Sequence, residues 1–126
     1  MACLLRGQQP LPRPSAEPQE QEPPEEDESL KPKEYTLNPL QASREITAGN
    51  FYFKKGNYTA AAKRYLEATR WDAGSEEAFR KLGETYEKAQ NYTSARGAFA
   101  KFFDLSKDAK TIEAIKKRME KWPPRK

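Results

Sequence analysis

From residue 49 onward the sequence overlays on itself at a shift of 34 residues, and this self-similarity restricts the possible fold more than any other feature. With Gly49 set on Gly83, Tyr52 falls on Tyr86, Asn57-Tyr58-Thr59 on Asn91-Tyr92-Thr93, Ala61 on Ala95 and Tyr65 on Phe99. A unit of this length cannot bury its apolar face alone, so neighbouring units must stack. Local chemistry divides each unit into two helices. Asn38 can cap a helix that starts at Pro39, whose fixed φ and missing N–H suit the first position. Gly56 can end that helix in a left-handed turn, and Asn57 can cap the next. Ser75, followed by Glu76 and Glu77 at the positive end of the helix dipole, marks a third start, and Asn91 a fourth. Asp108 or Ser106 opens a fifth helix that Pro123-Pro124 stops. In it Ile112, Ile115, Met119 and Trp122 share one face, with Lys116, Lys117, Arg118 and Lys121 on the others.

Matched small residues imply close helix packing. A mid-helix glycine costs about 1 kcal/mol relative to alanine, so Gly49 and Gly83 make sense where a neighbouring helix approaches closely, and Ala61, Ala68 and Ala95 serve the same end. Tyr52, Tyr58, Tyr65, Phe79, Leu82, Tyr86, Tyr92 and Phe99 are read as filling the interhelical layers.

A 34-residue period with Gly, Tyr, Tyr, Ala and an aromatic at these offsets resembles the tetratricopeptide repeat (TPR) family. The resemblance implies an all-α fold of about five helices. Two TPR helix–turn–helix repeats, at about 42–75 and 76–109, would be followed by a capping helix at about 109–122. Together they make a domain over 38–122, with a short basic tail at 123–126. Against the family pattern, Glu45 stands where a large apolar residue is usual, which predicts a weakly anchored first helix. Ala73 and Lys107 replace the proline that commonly ends a repeat. Phe102-Phe103 replaces a small residue, as in terminal repeats whose last helix meets a cap.

The domain does not fill the chain. Eight of the ten prolines lie within residues 10–39, while thirteen of the fourteen aromatics follow residue 50. Residues 1–37 are therefore predicted to be a disordered Pro/Glu-rich tail or tether, with too little apolar surface to offset its ordering entropy. Residues 1–40 carry a net charge of −4 and residues 41–126 a net charge of +8, so tail and domain attract. Two repeats are also few, since solenoids generally need about three to bury a continuous core. Marginal stability, or support from a partner or from self-association, is expected.

Composition narrows the function. The sequence has no histidine and one cysteine, and its six glycines are scattered singly. Histidine-based catalysis, Cys/His metal sites and phosphate loops are thereby excluded, and no catalytic residue, cofactor or metal is expected. The TPR resemblance implies instead a non-catalytic adaptor that binds a peptide or partner protein on the concave face lined by the first helix of each pair. Ile46, Asn50, Phe53 and Lys54 in repeat one, and Arg80, Lys81, Glu84 and Lys88 in repeat two, are the residues expected there. Ile46 and Phe53 would offer apolar surface, unless Tyr35, Leu37 or Leu40 folds back over it. A carboxylate clamp for chaperone tails, a TPR variant, needs lysine at Ile46 and asparagine at Lys81, and only Asn50 agrees. Glu84 and Glu87, one helical turn apart, could pair as acid and base but are expected to be solvated. Lys107 to Lys126 is basic enough to meet the phosphates of nucleic acid, but it lacks interleaved aromatics to stack bases, so that reading ranks last.

Cys3 followed by an extended segment and a small repeat domain resembles a processed bacterial lipoprotein. Asn50 to Ala61 and Ala95 to Phe103 are similar to BamD-type lipoproteins of outer-membrane assembly, which have about five repeats. That resemblance implies a lipid anchor on Cys3 and a place on the periplasmic side of the cell envelope if the true start lies upstream, and otherwise a cytoplasmic adaptor.

Overall fold

The structure is a computed structural model that describes residues 34–124. The expectations for the tail up to residue 33, for Cys3 and for Arg125 and Lys126 lie outside the described residues. Five helices make up the rest: α1 (Pro39–Lys54), α2 (Tyr58–Trp71), α3 (Glu76–Lys88), α4 (Tyr92–Leu105) and α5 (Ala109–Met119), with no strand among the described residues. The ends of α4 lie 34 residues after those of α2, so the sequence period is a structural period. α1 and α2 form one antiparallel hairpin, α3 and α4 the next, and α3 packs on α2.

Each helix starts where its cap chemistry places it. Side-chain oxygens of Asn38, Asn57, Ser75, Asn91 and Asp108 accept the backbone N–H three residues on, at 3.0 to 3.3 Å. Each satisfies a donor that the first helical turn leaves unpaired. Ser106 is not the fifth cap; its hydroxyl accepts from the Asp108 N–H at 3.0 Å. Gly56 closes α1 with φ +77°, and Gln90, its equivalent 34 residues later, holds the same turn at φ +63°. A side chain in that region costs roughly 1–2 kcal/mol. Gln90→Gly is therefore expected to stabilise the domain by about 0.5–1 kcal/mol, after allowing for the freer unfolded chain. Urea unfolding with an unchanged m-value checks this.

The core has two parts. Between the hairpins lie Ala42, Ile46, Ala61, Ala62, Tyr65, Ala68, Ala78, Leu82 and Ala98. Toward α5 lie Ala95, Phe99, Phe102 and Ile115, with Phe79, Tyr86, Phe103, Ile112, Met119 and Trp122 packed on them. The glycines mark close contacts between the helices of a hairpin. A Cβ on Gly49 would sit 2.5 Å from the Tyr65 ring, and one on Gly83 would sit 2.8 Å from the Phe99 ring.

Three expectations need correction. α5 ends at Met119 rather than near Trp122. The chain turns there so that the Trp122 indole reaches Tyr92 and Phe99, at ring-centroid distances of 5.1 and 6.1 Å. Glu45 does not leave α1 weakly anchored. Its buried carboxylate accepts from Arg64 Nη1 of α2 at 3.1 Å and from Gln41 Nε2 at 3.0 Å, so an ion pair replaces the usual apolar contact. Tyr35, expected in the tail, packs on α2. Its ring meets Trp71 edge-on at 4.9 Å, and its hydroxyl donates to the Glu67 carboxylate at 2.8 Å.

Candidate functional site

A cavity of about 360 Å³ opens on the α1/α3 face, lined by Asn50, Phe53, Lys54, Tyr65, Lys81 and Glu84. Five of these were expected there from the repeat register. α1 supplies Asn50, Phe53 and Lys54 from its last two turns, and α3 supplies Lys81 and Glu84 at the matched level. Phe53 is half-buried, with its ring edge-on to Tyr58 at 5.3 Å. The Arg80 guanidinium donates to Glu84 at 3.0 Å, one turn apart on α3.

Tyr65, which the repeat register places in the interhelical layers, has a second role. Its side chain borders the cavity, and its hydroxyl donates to Asn50 Oδ1 at 2.5 Å. Burial, then the negative charges of Glu84 and Glu77, push its pKa up to about 12 against a smaller opposing pull from Arg80. The phenol thus remains a donor throughout the physiological range. With Oδ1 engaged, what Asn50 offers a ligand is its Nδ2 amide donors. The signal was present in the sequence: repeat two carries Phe99 at the matching position, so only repeat one has a hydroxyl there.

Other expected residues fall elsewhere. Ile46 is buried among Ala42, Ala78 and Leu82 and offers no surface to a ligand. Arg80 lines a neighbouring hollow of about 460 Å³ between α3 and α5, shared with Glu84, Asp108, Lys110 and Arg118. Lys88 is exposed at the end of α3, outside the residues that line either hollow. Leu37 and Leu40 stay 73% and 62% exposed, and Tyr35 sits on α2, so none of the three folds over the α1/α3 face.

Glu84 and Glu87 do not form an acid–base pair. Glu84 is held by Arg80, whereas Glu87 accepts from Arg118 Nε at 3.2 Å, Arg118 Nη2 at 2.8 Å and Trp122 Nε1 at 3.0 Å. Glu87 therefore pins α5 and the turn after it to α3. Burial pushes its carboxyl up, but the hydrogen bonds from Arg118 and Trp122 outweigh this and hold it below the ordinary 4.5. A lowered carboxylate pKa stabilises the fold above the ordinary value, and that contribution is lost as pH falls through the lowered one. The anchor is thus expected to weaken only below about pH 4.5. The side chain is 22% exposed. With that discount, Glu87→Gln should cost about 1–2 kcal/mol at neutral pH and remove this part of the acid sensitivity. Thermal melts from pH 7 to pH 3, roughly spanning the carboxylate range, measure both effects.

Capped helical hairpins that stack through matched small and aromatic residues define a helical-repeat class of protein. Residues 49–90, from mid-α1 to the turn after α3, match the family model described as TPR repeat. The match supports the TPR family for this repeat, and with it a protein–protein interaction module as the functional class. No curated protein and no solved structure matches the chain significantly, so the resemblance to BamD-type lipoproteins gains no support. Among the described residues no three side chains are grouped to hold a metal ion, and no helix is long and apolar enough to cross a membrane.

Proposed function

We propose that the domain is an adaptor that binds an extended peptide of a partner protein along the α1/α3 face. The observation that carries this reading is the cavity between the two first helices. It combines an apolar wall at Phe53 with the Asn50 amide, which the Tyr65 hydroxyl holds in place, and with Lys81 beside Glu84. Apolar floor with a few fixed polar groups suits a peptide whose side chain fills the hollow while its backbone meets the donors. Lys81 favours an acidic or carboxylate-bearing ligand, and Glu84 limits how much negative charge the site accepts.

Peptides selected from a random library on the wild-type domain provide the test. Phe53→Asp combined with Lys81→Glu is expected to weaken the selected peptides by at least about tenfold, equivalent to about 1.4 kcal/mol. Both side chains lie outside the fully buried core, so helicity is expected to persist. Unchanged affinity in this double variant, with the fold intact, removes the proposed site.

A further inference from the structure

A second hollow, of about 280 Å³, shares no lining residue with the α1/α3 cavity. Tyr58, Ala62, Lys63 and Leu66 line it from α2, and Tyr86 and Ala89 do so from the end of α3 and its C-cap. Leu66 and Tyr86 pack on the core between the hairpins and remain partly exposed. Lys63 is the one charged residue lining the hollow, and it is exposed.

The second repeat contains the same corner, and there the chain fills it. At the 34-residue shift, Tyr58, Ala62 and Leu66 become Tyr92, Arg96 and Ala100. α5 packs on α4 through Ile115 as α3 packs on α2 through Leu82. The turn after α5 then lays Trp122 on this surface. Its ring centroid is 5.1 Å from that of Tyr92, and the Arg96 guanidinium lies 5.3 Å from it. Arg96 also donates to the Pro123 carbonyl at 3.0 Å, which ties the turn down. In the first repeat Ala62 stands in place of Arg96, the small and exposed Ala89 follows α3, and the corner is the hollow.

We infer that this hollow receives an aromatic side chain of a partner protein, flanked in the partner by a carboxylate. The molecule itself shows what such a corner holds, because Trp122 seats on Tyr92 in the second repeat as the partner's ring would seat on Tyr58 in the first. Tyr58 and Tyr86 favour a ring over an aliphatic side chain, since aromatic pairs gain beyond their buried area. Lys63 supplies the complement to the flanking carboxylate. Glu87, which accepts from the Trp122 Nε1 in the second repeat, becomes Phe53 in the first, so the hollow selects an aromatic face rather than an indole N–H. The site is separate from the α1/α3 face and does not depend on that reading.

Titration of the full ¹⁵N-labelled chain with the blocked dipeptide acetyl-Asp-Trp-amide tests the inference. Saturable amide shifts are expected at Tyr58, Ala62, Lys63, Leu66, Tyr86 and Ala89. Acetyl-Asp-Leu-amide and acetyl-Lys-Trp-amide should each bind at least about threefold more weakly. Tyr58→Ala removes the ring that corresponds to Tyr92, and Ala89→Trp places an indole at the rim of the hollow; both should weaken the first dipeptide by a similar factor. Ala89 is exposed, so that variant keeps the test decisive if Tyr58→Ala fails to fold. Absence of saturable shifts, shifts confined to Asn50, Phe53, Lys81 and Glu84, equal binding of either control dipeptide, or undiminished binding to Ala89→Trp overturns the inference.

Discussion

Gly83→Ala is expected to destabilise the domain by about 2 kcal/mol, although alanine is the better helix former by about 1 kcal/mol. The added methyl would lie 2.8 Å from Phe99 Cδ1 and Cε1 and 2.9 Å from Cγ. No rotamer relieves three contacts with one ring whose residue is fully buried, so α3 and α4 must separate. Overpacking of this kind costs about 1–3 kcal/mol, and here it outweighs the propensity gain. The effect belongs to the pair. In a Phe99→Leu background the ring edge is gone, and Gly83→Ala should become neutral or slightly stabilising. Phe99→Ala alone should cost about 3–5 kcal/mol, a large share of the roughly 5–14 kcal/mol available to about 90 residues. Chemical denaturation of the four proteins of this cycle gives the coupling. Simple additivity would show that the two helices do not meet at this point.

The second large effect is expected at Glu45. Arg64 and Glu45 keep only 13% and 10% of their side-chain surface exposed and meet at 3.1 Å. Glu45→Ala leaves a largely buried guanidinium without this partner, and the expected loss is about 3 kcal/mol, near the low end for breaking a buried pair. Replacing both residues by leucine should recover most of that loss and can exceed the wild type, because neither charge is then desolvated. Thermal or urea unfolding of the single and double variants separates the two outcomes. If Glu45→Ala melts like the wild type, the ion pair does not anchor α1.

Much of the fold could be read from the sequence because its determinants are local. Asn38, Asn57, Ser75, Asn91 and Asp108 cap helices through bonds that span three residues, and the 34-residue register carries Gly49 and Gly83 onto equivalent close contacts. The candidate cavity followed from the same register at Asn50, Phe53, Lys54, Lys81 and Glu84. Ile46 was misread because helical spacing gives an azimuth and not a depth. It lies two turns before Phe53 on nearly the same azimuth, but it is buried in the cluster that also holds Ala78 and Leu82, while Phe53, in the last turn of α1, is only partly buried. Contacts that bridge 31 to 35 residues outside the repeat leave no periodic trace. Glu87 with Arg118 and Trp122, and Tyr35 with Glu67, are of this kind, and each joins a terminal segment to the stack.

The central claim is that the α1/α3 face receives the peptide, and amide chemical-shift mapping of the ¹⁵N-labelled full chain with a library-selected peptide tests it most directly. The account expects the largest changes at Asn50, Phe53, Lys54, Lys81 and Glu84, saturating together at one affinity. Changes confined to the opposite groove at Tyr58, Ala62, Leu66 and Tyr86, with the α1/α3 face silent, would contradict it.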